Sequence, residues 1–386
     1  MGGEMKKKFI RFMITICLLF LLFGVYTLEV STQLLVTNKN IILNYSNIQQ
    51  DLDMLIFISP QYAGDIDITN SINSYISSLN EDLGWNVSIL SLSQDKNNYN
   101  TIDKIIEKYY ELYPIKACIL VGEDTDTALG GHNNYMMKPS VVPWFTTGGE
   151  YSYEISERGI ICQPYNVDIC ISLLYPTNSL DYQIKKSQII YAFEKFSKQR
   201  NFSINNDILV FESSDINFNS KEIYQDLNNY GKIYYLEDPV EEEIKLSLAK
   251  SYSMYFTHGH SNPSGTDINA KDSGWFSANY LDEIDTPFFG ADGCYVGGWW
   301  TNEPDSDDLS SSIDCLWYGS KIFTSENIVV MALGLLSQNG YSYPVSFIEN
   351  TIPGLFEGKT LAESMIGKTC LGENIIIGDP TFHFVN

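Results

Sequence analysis

The feature that most constrains the fold of this chain is an alternation of apolar strands and amphipathic helices. The segment Met54–Ser59 (MLIFIS) is typical of a buried strand, and apolar residues at helical spacing follow it up to Gly84. Further strands are predicted at Val87–Leu92 and Ala117–Val121, with a helix over Ile102–Leu112 between them. Largely apolar strands that alternate with amphipathic helices predict a parallel sheet covered by helices on both faces.

The same alternation starts again after a mostly polar stretch, Gln199–Asn206, which we take as the boundary between two halves. Residues 124–165 are rich in Gly, Asn, Pro and aromatic residues and are expected to form long loops. We therefore predict an α/β fold in which two similar α/β subdomains, residues 31–203 and 204–386, follow an N-terminal hydrophobic helix within residues 1–30. The other predicted strands are 167–174, 208–211, 233–236, 253–257, 287–291, 321–324 and 375–377, and the other predicted helices are 182–197, 221–230, 241–251 and 361–368.

The N terminus has the features of a membrane-directing segment. Three lysines and Arg11 precede the mostly apolar run Phe12–Leu28. The length of this run lies between that of a signal-peptide core and that of a spanning helix, so a cleaved signal peptide and an uncleaved transmembrane anchor both remain open. In either case the basic flank stays in the cytoplasm, and we expect the rest of the chain to be extracytoplasmic, either secreted or anchored to the membrane.

The charge balance excludes one class of partner. The chain has 24 Lys and Arg residues against 48 Asp and Glu residues, a net charge of −24. Residues 1–30 hold four of the cations and two of the anions, so the remainder has 20 against 46 and a net charge of −26. Affinity for nucleic acid rests largely on Lys and Arg residues that neutralise phosphates, so we expect no nucleic-acid partner.

Two strand ends carry groups suited to covalent chemistry. One predicted strand is followed by His258 and Gly259, and another runs into Gly293 and Cys294. Ligands of open parallel sheets bind beyond the carboxyl ends of the strands, so we expect the imidazole and the thiol at one edge. A thiolate is a strong nucleophile, and a nearby imidazole can protonate a leaving amine. The adjacent glycines let backbone N–H groups approach a substrate carbonyl.

These motifs resemble those of the gingipain-type cysteine peptidases, which are relatives of caspases and legumains. The family's Tyr-Thr-Gly-His-Gly is similar to Tyr255–Gly259 (YFTHG), and its Ala-Cys-x-x-Gly is similar to Gly293–Gly297 (GCYVG). The closing Ile376–Thr381 (IIGDPT) resembles the family's Gly-Asp-Pro-Ser/Thr ending, and Leu120–Glu123 (LVGE) stands where the family has a strand ending in Val-Gly-Asp. The resemblance spans about residues 51 to 386 and implies a caspase-like fold.

The resemblance also implies a cysteine endopeptidase that acts on protein or peptide substrates and needs no cofactor for its chemistry. Cys294 would be the nucleophile that forms a thioester acyl-enzyme, and His258 would protonate the leaving amine and help to activate water. The N–H groups of Gly259 and Cys294 would form the oxyanion hole, and Glu212 stands where family members have a carboxylate that orients the histidine. We prefer His258 to the nearby His260 because His258 directly follows the strand and precedes Gly259.

Two tryptophans are candidates for the substrate cleft. Trp275 matches a tryptophan that the family places after the histidine loop, and Trp299 follows the cysteine motif, although core packing would explain Trp299 equally well. Selectivity for Arg or Lys is not carried over, because Ser325–Val329 stands where the family has the acidic residue and the tryptophan of its Arg-selective pocket. Ser172 and Leu173 likewise replace a Gly-Arg pair.

An acidic loop, Glu303–Asp308 (EPDSDD), follows the cysteine motif. Asp305, Asp307 and Asp308 are candidate ligands of a structural Ca²⁺ ion, because the relatives use calcium structurally and calcium prefers several carboxylate oxygens. We prefer the simpler interpretation, a solvated charged loop, to a calcium site.

Two other functions remain open from the sequence. His258 and His260 form half of a metallo-hydrolase His-x-His-x-Asp-His motif, which would make the chain a metal-dependent hydrolase, but Asn262-Pro263 stands where Asp-His is required. The second alternative is a catalytically inactive, peptidase-like surface binding module, because a fold does not by itself confer activity.

Overall fold

The predicted alternation of strands and helices runs along the chain. The computed structural model describes residues 51–94, 99–122, 153–156, 159–162, 165–176, 181–200, 202–203, 207–215, 220–262, 264–272, 274–293, 318–334, 344–370 and 374–385. The α-helices among them are α1 Ile66–Leu83, α2 Tyr99–Leu112, α3 Tyr182–Lys198, α4 Ser220–Asp226, α5 Glu241–Leu248, α6 Pro344–Phe356 and α7 Leu361–Met365, and short 3-10 helices cover Leu227–Asn229, Ala278–Asp282 and Tyr318–Phe323. The strands are β1 Met54–Ile58, β2 Val87–Ser91, β3 Ala117–Val121, β4 Tyr153–Ser156, β5 Gly159–Cys162, β6 Tyr165–Asn166, β7 Cys170–Leu174, β8 Phe202–Ser203, β9 Asp207–Glu212, β10 Lys232–Glu237, β11 Met254–His258, β12 His260–Asn262, β13 Gly265–Asp267, β14 Trp275–Ser277, β15 Phe288–Asp292, β16 Val330–Gly334, β17 Thr369–Cys370, β18 Asn374–Gly378 and β19 Phe384–Val385.

Ten of these strands form one sheet in the order β10-β9-β11-β15-β16-β18-β7-β3-β1-β2. Neighbouring strands are parallel except at the junction of β16 and β18, which is antiparallel. The sheet therefore consists of two sets of parallel strands that run in opposite directions. We call β2, β1, β3, β7 and β18 the first half-sheet, and β16, β15, β11, β9 and β10 the second half-sheet. Their carboxyl ends lie at opposite edges.

Helix α1 illustrates how the sequence sets the ends of an element. The Asp65 carboxylate accepts hydrogen bonds from the backbone N–H groups of Asp67 and Ile68 and so begins the helix. Gly84 ends it in the left-handed conformation, with φ 68°. Between them a buried stripe packs against α3, where the ring of Tyr75 lies 5.5 Å from that of Phe193. Local capping and apolar spacing thus make this element predictable from the sequence.

Aromatic side chains pack on both faces of the second half-sheet. Successive residues of a strand point to opposite faces. On one face Tyr255 packs against Phe276 and Phe289, and on the other face Phe256 packs against Tyr224 of α4. Full burial of a phenylalanine contributes about 1.5–3 kcal/mol. Packing from both sides therefore fixes the strands whose carboxyl ends form the candidate site.

The closing Gly-Asp-Pro-Thr motif is held by a buried polar network in the first half-sheet. Asp379 accepts hydrogen bonds from the Tyr75 hydroxyl, at 2.6 Å, and from Arg200 Nη1, at 2.7 Å. Arg200 also donates to the Thr381 hydroxyl and to Asp82. The end of β18, in the middle of the sheet, is thereby tied to α1 and to the residues that follow α3.

Two predictions about local structure were wrong. The predicted strand Lys321–Thr324 is largely a 3-10 helix, and its apolar residues are buried. Lys195 of α3 donates a hydrogen bond to the Ile322 carbonyl, at 2.6 Å. The strand in this part of the chain is β16 instead. Residues 124–165 were expected to form loops, but β4 and β5 within them pair as antiparallel strands.

The predicted N-terminal helix and membrane-directing segment lie outside the described residues. Within the described ranges, none of the helices has the length and apolar character needed to cross a membrane. The division into subdomains at residues 203 and 204 stays a prediction. The ten-stranded sheet contains strands from both sides of that position, and β18 from the second side lies beside β7 from the first.

Candidate active site

Three ionisable side chains lie in one row at the carboxyl ends of β9, β11 and β15. His258 is the register partner of Glu212 on one side and of Asp292 on the other. Register partners on parallel strands share a face and lie about 4.8 Å apart, so the three side chains point the same way. We call Glu212, His258 and Asp292 the buried row. The sequence indicated the first two, but it was silent on Asp292, whose only signal is its position just before Gly293.

The buried row is closed off from solvent. His258 is 1% exposed, Asp292 2% and Glu212 5%. Tyr224 of α4 covers the imidazole, with its hydroxyl oxygen 2.6 Å from His258 Nε2. On the other side of the ring, His258 Nδ1 lies 3.8 Å from Asp292 Oδ2, which is beyond hydrogen-bond length but close enough for a charge interaction. Both ring nitrogens of His258 therefore face groups inside the protein.

Burial dominates the pKa values of the groups around His258. It raises the pKa of Asp292, and His258 acts in the opposite direction. It also raises the pKa of Glu212, against the charge of His258 and a hydrogen bond from Tyr235. The pKa of Tyr224 is raised well above its usual range by burial and then by the two carboxylates. The phenol thus stays protonated, and His258 is the group that favours ionisation of both carboxyls.

A second imidazole lies just beyond β11, in an open position. His260 begins β12, which forms a small antiparallel sheet with β13 and β14. Its side chain is 69% exposed, and its Nε2 lies 3.4 Å from Asp215 Oδ2. The Ser213 hydroxyl donates a hydrogen bond of 2.6 Å to the other oxygen of Asp215. His260 therefore combines access to solvent with a carboxylate partner, which are the requirements for proton transfer to a substrate.

Trp275, a predicted cleft residue, lies in the same row of the small sheet as His260. Asp267 of β13 is the register partner of both His260 and Trp275. Directly opposed residues of antiparallel strands share a face, so the two side chains lie about 10 Å apart on one face. Trp275 is 40% exposed. A large apolar surface is thus available beside the exposed imidazole.

Gly259 and Gly293 bring the histidine loop into contact with the end of β15. Gly293 has a φ of +154°, and a Cβ there would lie 2.3 Å from the Gly259 carbonyl oxygen and 2.0 Å from the Ser261 hydroxyl. No side chain fits at this position. The Gly259 N–H, a predicted oxyanion-hole donor, donates a hydrogen bond to the Asp292 carbonyl, at 3.2 Å. Its role in an oxyanion hole stays a prediction.

Asp238, which the sequence analysis missed, braces the loop that carries Asp215. Its carboxylate accepts hydrogen bonds from the N–H groups of Ser214 and Ala270 and forms an ion pair with Lys271. Burial would raise the pKa of Asp238, but Lys271 and the Ser214 donors more than offset it and hold the pKa well below its usual range. Its φ is 48°, a left-handed conformation that Asp tolerates better than most residues. The available signal was its place just before a proline, where Asp favours a turn.

Several predicted site residues lie outside the described residues, namely Cys294, Trp299, Asp305, Asp307 and Asp308. The roles given to them, including the calcium site, stay predictions. Among the residues that the structure describes, no three His, Cys, Asp or Glu side chains are grouped so as to hold a metal ion. The two imidazoles of the metal-hydrolase alternative also differ in surroundings, because Tyr224 covers His258 whereas His260 faces solvent.

The sheet order and the pairing of a histidine loop with a following strand end define a caspase-like α/β fold, as predicted. The chain is similar to the crystal structure of the Arg-specific cysteine proteinase gingipain R (RgpB), with 15% identity, a TM-score of 0.55, and coverage of 88% of this chain and 79% of that chain. It is also similar to the complex of Porphyromonas gingivalis RgpB pro- and mature domains, with 14% identity, a TM-score of 0.56, and coverage of 85% and 79%. At sequence identities this low, the structural similarity establishes the fold alone. No family model and no curated protein matches the chain.

Proposed function

We propose that this chain is a cysteine peptidase that hydrolyses peptide bonds through Cys294. The observation that carries the proposal is the contact between Gly293 and the histidine loop. The Gly259 carbonyl and the Ser261 hydroxyl leave no room for a side chain at Gly293, and consecutive Cα atoms are about 3.8 Å apart. A nucleophile at position 294 would therefore start beside the loop that carries His260, as a Cys-His pair requires.

We assign the proton transfer to His260. The sequence favours His258 because it directly follows the predicted strand 253–257 and precedes Gly259, and that assignment stays a prediction. Its 1% exposure and its contact with the Tyr224 hydroxyl bear against it, since a leaving amine has to touch the ring that protonates it. His260 meets this requirement and has Asp215 beside its Nε2. Asp215 would then orient the acting imidazole, the role that the family resemblance implies for Glu212.

The proposed reaction has two steps. Cys294 gives its proton to His260, and its sulfur attacks the carbonyl carbon of the substrate. The C–N bond breaks as the proton passes from His260 to the leaving amine, which leaves the acyl group bound to sulfur as a thioester. A water molecule then gives a proton to His260 and attacks the thioester, so that the acid is released and the proton returns to the thiol. Trp275 offers apolar surface to the substrate on the same face as His260.

The same proposal includes where the protein acts. The basic residues and the apolar run at the N terminus support export or anchoring at a membrane. The substrates would then be extracytoplasmic proteins or peptides. The neighbouring structures support this substrate class only through their fold.

The test of the nucleophile compares Cys294→Ala with Cys118→Ala in the full-length chain. Cys118 is a buried free thiol on β3 in the first half-sheet. We expect Cys294→Ala to lose both the hydrolysis of a diverse peptide library and labelling by acyloxymethyl ketones, whereas folded Cys118→Ala keeps both. Wild-type turnover in Cys294→Ala would contradict the proposal. Chelator-sensitive turnover in that variant would favour a metal-dependent hydrolase, and an inactive wild type would favour a binding module.

The test of the imidazole compares His260→Gln with Asp215→Asn. Loss of a general acid-base group costs about 10²–10⁴-fold in rate, so we expect His260→Gln to lower kcat by that amount. Asp215→Asn keeps the ring and should lower kcat by a smaller factor and shift the pH profile. Both side chains lie at the surface, so the unfolding midpoints should match the wild type. A fully active His260→Gln variant would overturn this assignment.

A further inference from the structure

The buried row has no part in the reaction proposed above, yet it lies directly next to it in the chain. Asp292 precedes Gly293 and Cys294, and His258 is two residues before His260. Burial of two carboxylates is costly unless a cation or hydrogen bonds offset the loss of solvent. Because buried carboxylates contribute little to stability, a functional role explains the buried row better than a stabilising one does.

The groups that face His258 come from four packed elements. Glu212 of β9 and Asp292 of β15 flank it, and Tyr224 of α4 caps it. On β10, Tyr235 donates a hydrogen bond to Glu212, and the charge of Glu237 also acts on Glu212. The surroundings are thus two carboxylates, a further anion and two phenols. Among these groups, the imidazole is the one that favours ionisation of both flanking carboxyls.

The backbone around the buried row links it to the site. The Ser213 N–H donates a hydrogen bond of 3.0 Å to the His258 carbonyl, and the Gly259 N–H donates one of 3.2 Å to the Asp292 carbonyl. These bonds tie the ends of β9, β11 and β15 together just past the buried row. The loop of Asp215, the loop of His260 and the segment that leads to Cys294 all start from these strand ends.

We propose that His258 is a positioning residue: its imidazole, between Glu212 and Asp292, fixes the end of β15 and thereby sets the position of Cys294 relative to His260. The inference rests on the proposed function. If the imidazole were removed, Asp292 would lose the ring that faces it at 3.8 Å and would turn away or take up a proton. A Cβ at Gly293 would clash with Gly259 and Ser261, so the end of β15 packs directly against the loop that carries His260. A displacement of about 1 Å between reacting groups can cost a hundredfold in rate.

The experiment is a double-mutant cycle of His258→Gln and Asp292→Asn in the full-length chain. We expect His258→Gln to lower kcat about a hundredfold with a small change in KM. Asp292→Asn removes the carboxylate that would lose its partner, so kcat of the double variant should be about tenfold higher than the product of the two single effects predicts, a coupling of ~1.4 kcal/mol. A direct catalytic role for His258 predicts no recovery. A merely structural role predicts a lower unfolding midpoint with no change in kcat of the folded fraction.

Two controls accompany the cycle. Tyr224→Phe removes only the hydroxyl from His258 and should lower kcat less than His258→Gln does. His260→Gln should keep its lowered kcat when Asp292→Asn is added, because that variant lacks the group that transfers the proton. Wild-type kcat in His258→Gln, or a double variant that equals the product of the single variants, would overturn the proposal.

The cycle is also run on the rate at which iodoacetamide alkylates Cys294, in a background in which the other six cysteines are replaced by Ala. This readout needs no peptide turnover. If the wild type hydrolyses no peptide, the proposed function fails, and the alkylation cycle still decides whether His258 and Asp292 are coupled at position 294. Equal alkylation rates across the cycle would then overturn the positioning role.

Discussion

The two half-sheets share one architecture but end differently at their carboxyl edges. In each, parallel strands alternate with helices, and the last residues of neighbouring strands are register partners. In the strands β2, β1, β3 and β7 of the first half-sheet these residues are neutral, whereas in β10, β9, β11 and β15 of the second they are ionisable. The first series is Ser91, Ile58, Val121 and Leu174, and the second is Glu237, Glu212, His258 and Asp292.

The difference shows what the fold requires and what the site adds. The neutral edge of the first half-sheet is sufficient for the architecture, because apolar strand ends bury surface without a desolvation cost. The ionisable edge carries buried carboxylates, which favour stability only weakly. Departures from the simplest packing are expected at functional sites. The second half-sheet is therefore where we place the chemistry.

The sharpest test of this contrast compares Gly293→Ala with Gly122→Ala. Both glycines follow strand ends and have positive φ values, +154° and +84°. At Gly293 the obstacle is partly the backbone of Gly259, which cannot rotate away, so we expect kcat to fall by about a hundredfold or more. At Gly122 the obstacles are the side chains of Ser59 and Tyr62, and strain of about 1–3 kcal/mol should lower stability instead.

Steady-state kinetics and urea unfolding of both variants provide the measurement. Kinetics are compared at a temperature at which each variant is fully folded. A Gly293→Ala variant with wild-type kcat would show that the contact with the histidine loop does not matter for turnover.

The second prediction contrasts the two buried ionic clusters. In the first half-sheet Arg200 contacts Asp379 and Asp82 at hydrogen-bond length, whereas His258 and Asp292 are 3.8 Å apart. Arg200→Met leaves Asp379 buried without its cation and should lower the free energy of unfolding by about 3–5 kcal/mol. We expect His258→Gln to lower it by less, because the carboxyls in the buried row already have raised pKa values and can take up protons.

Urea unfolding measures both variants, with Lys198→Met as the control. Lys198 forms an exposed ion pair with Glu194 on α3, and its loss should not change the unfolding midpoint measurably. Equal midpoints for Arg200→Met and Lys198→Met would show that the network around Asp379 adds nothing to stability.

The smallest predicted effect is a difference in pH dependence. Burial lowers the pKa of Lys195 in α3 to about 7, against about 10.4 in an unfolded chain. Between these values the unfolded state binds a proton that the folded state lacks, so the contribution of Lys195 to the free energy of unfolding rises with pH, by up to ~1.4 kcal/mol per pH unit. Asp292 has the opposite sign: its folded pKa is raised, so its contribution is lost as pH rises above the unfolded value of about 4.

Urea unfolding from pH 5 to pH 9 tests both signs. The difference between wild type and Lys195→Met should increase with pH, and the difference between wild type and Asp292→Asn should decrease. Parallel curves in either comparison would contradict the corresponding pKa shift.

Most of the fold could be predicted from the sequence, because its signals are local. The strands β1, β3, β9 and β11 are apolar runs, and Asp65 and Gly84 cap α1. The failures have a physical reason as well. Ile322 and Phe323 are buried, and burial alone does not distinguish a strand from a 3-10 helix.

The candidate site was predictable only in part. The sequence marked Glu212 and His258 at the ends of β9 and β11, and the pair Gly293-Cys294, because each of these signals depends on residues that are adjacent in the chain. It favoured His258 over His260 without any signal of their exposure, which depends on Tyr224, 34 residues from His258. It missed Asp292, Asp215 and Asp238, whose importance comes from partners on other elements.

The sequence by itself thus determined the alternating α/β pattern, the acidic surface and the two strand ends that carry reactive groups, since each depends on residues close together in the chain. Only the tertiary structure decided that one antiparallel junction between β16 and β18 turns the two half-sheets in opposite directions. It also decided that the imidazole of His258 is buried and that the imidazole of His260 is exposed. Burial and pairing across strands depend on contacts between distant residues, and they assigned neighbouring histidines to different surroundings.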